Sequence, residues 1–186
     1  MVPRGRIDYK MFSVKNRRLN RLEGYDYSRG GWYFVTLCVR NYEYLLGDIT
    51  GGKMRLSEIG KIAQKCWSEI SKHFPDTDLD EFIVMLNHIH GIIVIRGNTV
   101  GNKNFCSLQQ PWQKHWARSL SSVVRGFKIG VTKWCCQNNN QNFAWQKSFY
   151  DHIIRNEKSL FKIREYIVQN LLKWEFDRNN KDNVFV

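Results

Sequence analysis

Two histidines with one residue between them, His88 and His90, stand in the most apolar stretch of the chain, EFIVMLNHIHGIIVIRG from Glu81 to Gly97. In extended backbone, residues i and i+2 project from the same face. Their Cα atoms then lie about 6–7 Å apart, so the two imidazoles can converge on one cation. Burying two polar rings in a sheet is costly unless each finds a partner. Hydrogen bonds alone would serve, and a metal would serve both rings at once. A second pair, Tyr166 and Asn170, sits four residues apart and therefore shares one helix face, at the edge of the apolar stripe Ile163, Ile167, Trp174. A phenol held there can act as a nucleophile, and an amide oxygen can ligate a hard metal. A boundary tyrosine beside a solvated asparagine would show the same spacing.

Other chemistry is less well supported. Tyr150-Asp151-His152 in WQKSFYDHIIR offers a nucleophile or a base, while His73 and His115 have no evident partner and read as surface residues. Neither G-x-x-x-x-G-K-[ST] nor G-x-G-x-x-G occurs, which excludes the common phosphate loops. Carboxylates do not cluster as a two-metal nuclease requires. The five cysteines, Cys38, Cys66, Cys106, Cys135 and Cys136, are odd in number and form no C-x-x-C. They read as reduced thiols in a cytosolic protein and not as a zinc finger.

The elements that must position these groups follow from periodicity. WYFVTLCVR, Trp32 to Arg40, is aromatic and β-branched and predicts a strand. GDITGGK, Gly47 to Lys53, is turn chemistry. Leu56, Ile59, Ile62, Ala63, Trp67, Ile70 and Phe74 trace a helix over 56–74 that Pro75 to Asp80 ends. Two strands, near 81–87 and 89–96, are expected to meet at or near the histidines, with one continuous bent strand as the alternative. Residues 97–114 read as a loop. A helix starts near Ser119, with Leu120, Val123, Val124, Phe127, Val131 and Trp134 on its apolar face. Residues 137–142 form a loop and 143–150 a short strand. Asn156 caps a last helix, with Leu160, Ile163, Ile167, Leu171 and Trp174 on its buried stripe. This β-α-β-β-α-(β)-α order predicts an α+β domain, with an antiparallel sheet carrying H-x-H on an inner strand, helices packed against it and the tyrosine on the C-terminal helix. The division expected is a basic N-terminal arm at 1–24, one domain at 25–176 and a loose polar tail at 177–186.

Of the 186 residues, 42% are hydrophobic and 14% aromatic, enough for a packed core and too many for a disordered chain. Twenty-nine Lys and Arg against 17 Asp and Glu give a net charge of +12, which draws a small domain to polyanions. Nucleic acid is the expected partner, with an anionic membrane surface second. No apolar run nears the roughly 20 residues that span a bilayer, and the basic N-terminus has no apolar signal core. A cytoplasmic, nucleoid-associated protein is expected.

Taken together the segments resemble the REP-associated tyrosine transposases, in the single-tyrosine branch of the HUH endonucleases and transposases. The likeness rests on GYDYSRGGWYFVTLCV (24–39), MRLSEIGKIAQKCW (54–67), DEFIVMLNHIHGIIVI (80–95), SLSSVVRGFKIGVTK (119–133), WQKSFYDHIIRNEKSL (145–160) and YIVQN (166–170), in the family's order. The resemblance implies a ferredoxin-like or RRM-like sheet and a divalent ion, Mg²⁺ or Mn²⁺, on His88 and His90. It implies Tyr166 as nucleophile and Asn170 as the third ligand, with Gln169 as its rival. Leu171 and Leu86 stand where the family often has proline, which touches backbone shape and not ligands. The implied activity is cleavage and rejoining of single-stranded DNA bearing hairpins through a 5′-phosphotyrosine, by a monomer or homodimer. Arg125, Lys128, Lys133, Lys147 and Arg155 are then the expected DNA contacts. A non-catalytic single-strand binder and a replication-type HUH nickase are the alternatives.

Overall fold

The structure, a computed structural model, describes residues 22, 24–27, 29–96, 119–177, 179 and 180. The arm before Leu22, the expected loop at 97–114 with Cys106, and His115 lie outside the described residues. Four strands form one antiparallel sheet: β1 (Gly31–Cys38), β4 (Thr77–Val84), β5 (His88–Ile95) and β6 (Tyr150–Ile154), in the order β4-β5-β1-β6. The helices are α1 (Glu58–Ser68), the short α2 (Ile70–His73), α3 (Leu120–Gln137) and α4 (Glu157–Gln169). This α+β arrangement is ferredoxin-like, with α4 added on the face of the sheet opposite α1 and α3. H-x-H lies on β5, an inner strand.

Alternation along the strands sorts the two faces. Tyr33, Val35 and Leu37 of β1 join Ile89 and Ile93 of β5 in the larger core, which α1 and α3 cover with Trp67, Val123, Phe127 and Val131. The intervening Phe34 and Ile92 form a smaller cluster with Ile154 and Ile167 beneath α4. The three longer helices start where the sequence offers a cap. Ser57 accepts from Gly60 N at 3.1 Å, Ser119 from Ser122 N at 3.3 Å and Asn156 from Ser159 N at 2.8 Å.

Several boundaries differ from expectation. Gly47–Lys53 is more than a turn: β2 (Gly47–Thr50) and β3 (Lys53–Leu56) pair as a hairpin. Its connecting Gly51 and Gly52, at φ 58° and 72°, supply the left-handed geometry a two-residue hairpin needs. Leu56 belongs to β3, and the helix expected over 56–74 is two helices that part at Glu69. The strand expected from residue 81 starts four residues earlier, and its register slips between Leu79 and Phe82. Residues 143–149 form no strand: they run beside the end of β1 through the bridge Val39–Trp145 and the bond from Gln146 N to Cys38 O, and the strand proper, β6, starts at Tyr150. Leu171 and Trp174 lie beyond the end of α4, Trp174 in a 3-10 turn at Trp174–Phe176. Asp177, Asn179 and Asn180, expected in a loose tail, are buried. No described helix is long and apolar enough to cross a membrane.

Candidate active site

The register of the sheet builds the site. His88 pairs with Cys38, His90 with Thr36 and Ile92 with Phe34, while Thr36 and Phe34 pair on their other side with Tyr150 and His152. These side chains share the face toward α4. Both imidazoles are fully buried, with ring centroids 4.3 Å apart. The Nδ1 atom of each ring is engaged: His90 Nδ1 lies 2.9 Å from Thr36 Oγ1 and His88 Nδ1 lies 2.8 Å from Asn87 Oδ1. Trp174 stacks on the His88 ring at 5.9 Å and Phe34 on the His90 ring at 5.3 Å. Both Nε2 edges are thereby oriented by contacts around them, the arrangement that holds metal-binding histidines in place.

The tyrosine arrives from α4. Arg164 donates from Nε and Nη2 to the two oxygens of Asp80, at 2.7 and 2.6 Å, which ties α4 to β4. These charge-assisted bonds hold the Asp80 carboxyl below the usual carboxylate range. Two residues on, the Tyr166 hydroxyl lies 3.1 Å from His90 Nε2 and donates to Asp177 Oδ2 at 3.1 Å. Tyr166 is 37% exposed, and it opens onto a cleft of about 550 Å³ lined also by Phe34, Tyr150, His152, Lys162 and Lys173.

Asp177 is the residue that sequence reasoning missed. One ligand atom each from His88, His90 and Asp177 lie within 4.8 Å of one another, and all three residues are buried. Burial works to raise the Asp177 pKa. The His90 ring, whose Nε2 lies 3.9 Å from Oδ2, the hydrogen bonds from Asn179 N at 2.7 Å and Asn170 Nδ2 at 2.8 Å, and the nearby His88 outweigh it and hold the carboxyl well below its ordinary range. Asn170 is buried on the same wall. Its Nδ2 is given to Asp177, while its Oδ1 has no hydrogen-bond partner among the described residues. Gln169 turns away and donates to Glu165 at 3.0 Å. Two imidazole nitrogens, a carboxylate held ionised and an unsatisfied amide oxygen make a donor set that fits a divalent cation.

The five cations expected to bind DNA are not brought together in this cleft. Arg125, Lys133, Lys147 and Arg155 are exposed. Lys128 is half-buried, and its Nζ donates to Gln146 O at 2.8 Å and Ser148 O at 3.2 Å, tying α3 to the segment before β6. His73 is exposed at the end of α2. Tyr150 and His152 both line the tyrosine's cleft.

No protein-family model matches the chain. It is 41% identical to an uncharacterised protein of Haemophilus influenzae over 169 residues, covering 89% of this chain and 93% of that one. It is 24% identical, over 84% of this chain and 79% of the other, to a protein of the same organism that carries the provisional name of REP-associated tyrosine transposase. The fold is shared with the solved structure of a REP-associated tyrosine transposase bound to a REP hairpin, at a TM-score of 0.58 and 22% identity, over 85% of this chain and 76% of that one. These likenesses support kinship with the REP-associated tyrosine transposases.

Proposed function

We propose that the chain is a metal-dependent tyrosine transposase that cleaves and rejoins single-stranded DNA at hairpin-associated sites. The observation that carries this reading is the Tyr166 hydroxyl, 3.1 Å from both His90 Nε2 and Asp177 Oδ2 at the mouth of an open cleft. A divalent ion on His88, His90 and Asp177, with Asn170 Oδ1 as a further donor, would polarise the scissile phosphate and offset charge on its oxygens. Two imidazoles in the set favour Mn²⁺ over Mg²⁺, which prefers all-oxygen surroundings.

The protein's own groups do the rest. For His90 to offer Nε2 as a ligand, its proton sits on Nδ1 and is donated to Thr36 Oγ1, which frees the phenol from that nitrogen. The Tyr166 oxygen then attacks phosphorus in line. A P–O bond to Tyr166 forms and the bond to the 3′ oxygen breaks, leaving a 5′-phosphotyrosine and, after proton uptake from water, a free 3′-OH. Asp177 orients the phenol and is not its base. About six pKa units separate an ordinary phenol from an ordinary carboxylate, so that proton transfer would cost about 8 kcal/mol, and more to a carboxyl held lower still. The phenol proton is lost to hydroxide or buffer base reaching the cleft from the side of Lys162 and Lys173; at pH 7, about three units below an ordinary phenol pKa, that ionisation costs about 4 kcal/mol. A later attack by a 3′-OH on the phosphotyrosine reverses the step and rejoins strands without a nucleotide cofactor.

Tyr166 reaches the histidines of its own chain, which supports a site assembled in cis, one per copy. Cutting two ends together then takes two copies. Arg125, Lys133, Lys147 and Arg155 are assigned to DNA phosphates, whereas Lys128 supports the scaffold through the two carbonyls it holds. The test is a library of single-stranded hairpin DNAs incubated with Mn²⁺ or Mg²⁺ and run on denaturing gels. A covalent adduct that EDTA and Tyr166→Phe both abolish is expected. Tight binding with no adduct across a library containing the native hairpin would overturn the catalytic reading in favour of a non-catalytic binder. A nick that persists without rejoined or transferred ends would move it to a replication-type nickase.

A further inference from the structure

On the far side of the sheet edge lies a second groove, of about 620 Å³, between α3 and residues 144–149. The segment that forms its wall is firmly held. Arg40 N donates to Ala144 O at 2.8 Å, Gln146 N to Cys38 O at 2.9 Å, and Lys128 clamps the carbonyls of Gln146 and Ser148. The groove's apolar surface comes from Trp145 and Phe149 on one side and Val124 and Ile129 on the other, with Ile129 54% exposed. Arg125, Lys133 and Lys147 stand on its rim, and no carboxylate lines it among the described residues. An apolar, aromatic cavity beneath cations, with no acidic group, suits a base attached to phosphates. A duplex backbone needs the cations and not the apolar walls.

The groove also connects to the catalytic cleft. Gln146 and Phe149 line a smaller depression of about 260 Å³ together with Tyr150, and Tyr150 in turn lines the cleft of Tyr166. Three concavities thus run end to end along residues 145–150.

We propose that the groove between α3 and residues 144–149 binds an unstacked base of single-stranded DNA, several nucleotides along the same strand that Tyr166 attacks. Arg125, Lys133 and Lys147 hold the flanking phosphates. This rests on the function proposed above and adds a binding site to it.

The test uses the full chain and the library of single-stranded hairpin DNAs that contains the native hairpin, with 5-iodouracil in place of thymine. Photocrosslinked peptides are mapped by mass spectrometry, and the Mn²⁺-dependent Tyr166 adduct is scored in parallel. Crosslinks in the peptide carrying Trp145 and Phe149 are expected. Their yield should fall at least tenfold in the triple variant Arg125→Glu, Lys133→Glu, Lys147→Glu, with folding checked by circular dichroism. Neutralising the same three residues (Arg125→Gln, Lys133→Gln, Lys147→Gln) should make the salt dependence of single-strand affinity shallower by about two in log–log slope. Crosslinks that avoid this peptide, survive the charge reversals, or form equally well with duplex DNA would overturn the proposal. A Tyr166 adduct without groove crosslinks would sink the groove and leave the nuclease standing. Groove crosslinks without any adduct would leave the groove standing and sink the nuclease.

Discussion

The two faces of the sheet are one residue apart along every strand, yet they do different work. On one face Tyr33, Val35, Leu37, Ile89 and Ile93 are sealed under α1 and α3. On the other, Thr36, His88 and His90 sit beside only a small apolar cluster of Phe34, Ile92, Ile154 and Ile167. Period-two alternation lets a single strand, β5, supply core packing with Ile89 and Ile93 and candidate ligands with His88 and His90. Stability is concentrated on the first face. The second buries polar rings that need partners, and it finds them in Thr36, Asn87, Tyr166 and Asp177. Substitutions on the two faces should therefore separate folding from chemistry.

The largest expected effect on folding is on the packed face. Trp67 is fully buried against Phe82 and Phe127. Trp67→Ala should cost about 3–5 kcal/mol in urea unfolding. By contrast, Tyr166→Phe should cost only about 1 kcal/mol, the worth of its hydrogen bonds. Gly91 sharpens the contrast within one motif. It directly follows His90, but a Cβ there would run into the Trp67 ring and the Phe82 side chain. Gly91→Ala should destabilise by about 1–3 kcal/mol through overpacking, while a calorimetric titration with Mn²⁺ still finds the ion bound. Thr36→Val does the reverse. It removes the partner of His90 Nδ1, so Mn²⁺ affinity should fall about 10–100-fold, beside about 1 kcal/mol in urea unfolding for the buried ring nitrogen left unpaired. If both parameters moved together in every variant, the separation of the faces would be wrong.

The smallest effect concerns pH. Burial pushes the Lys128 pKa from 10.5 down to about 8. Between those values the unfolded chain binds more protons at this residue than the folded one, so its contribution to stability rises with pH from about 8 to about 10.5. Thermal melts across that range should show a shallower rise in Lys128→Met than in the parent.

The strong periodicities were legible in the sequence. The strand at 31–38, the H-x-H strand, and the helices capped by Ser119 and Asn156 all stand close to where the pattern puts them. The shared face of His88 and His90 follows from strand period alone. The hairpin at 47–56 was not legible beyond its turn, because two four-residue strands of mixed polarity carry too few apolar positions to register as alternation. Thr36 as the partner of His90 depends on cross-strand register, which no local window contains. Asp177 was hidden for a similar reason. Its place depends on Trp174 leaving the helical stripe to stack on His88, after which the chain turns back and buries a carboxylate that reads as part of a polar tail. Neighbouring Asn and Asp residues gave no periodic signal to contradict that reading.

The central claim is that Tyr166, alone among the residues of the cleft, becomes covalently joined to DNA. The direct measurement is peptide mapping, by mass spectrometry, of the adduct formed with single-stranded hairpin DNA and Mn²⁺. A phosphonucleotide on the peptide carrying Tyr166, absent with EDTA, is the predicted result. Attachment at Tyr150, which faces the same cleft from β6, would contradict the assignment and move the nucleophile to the edge strand.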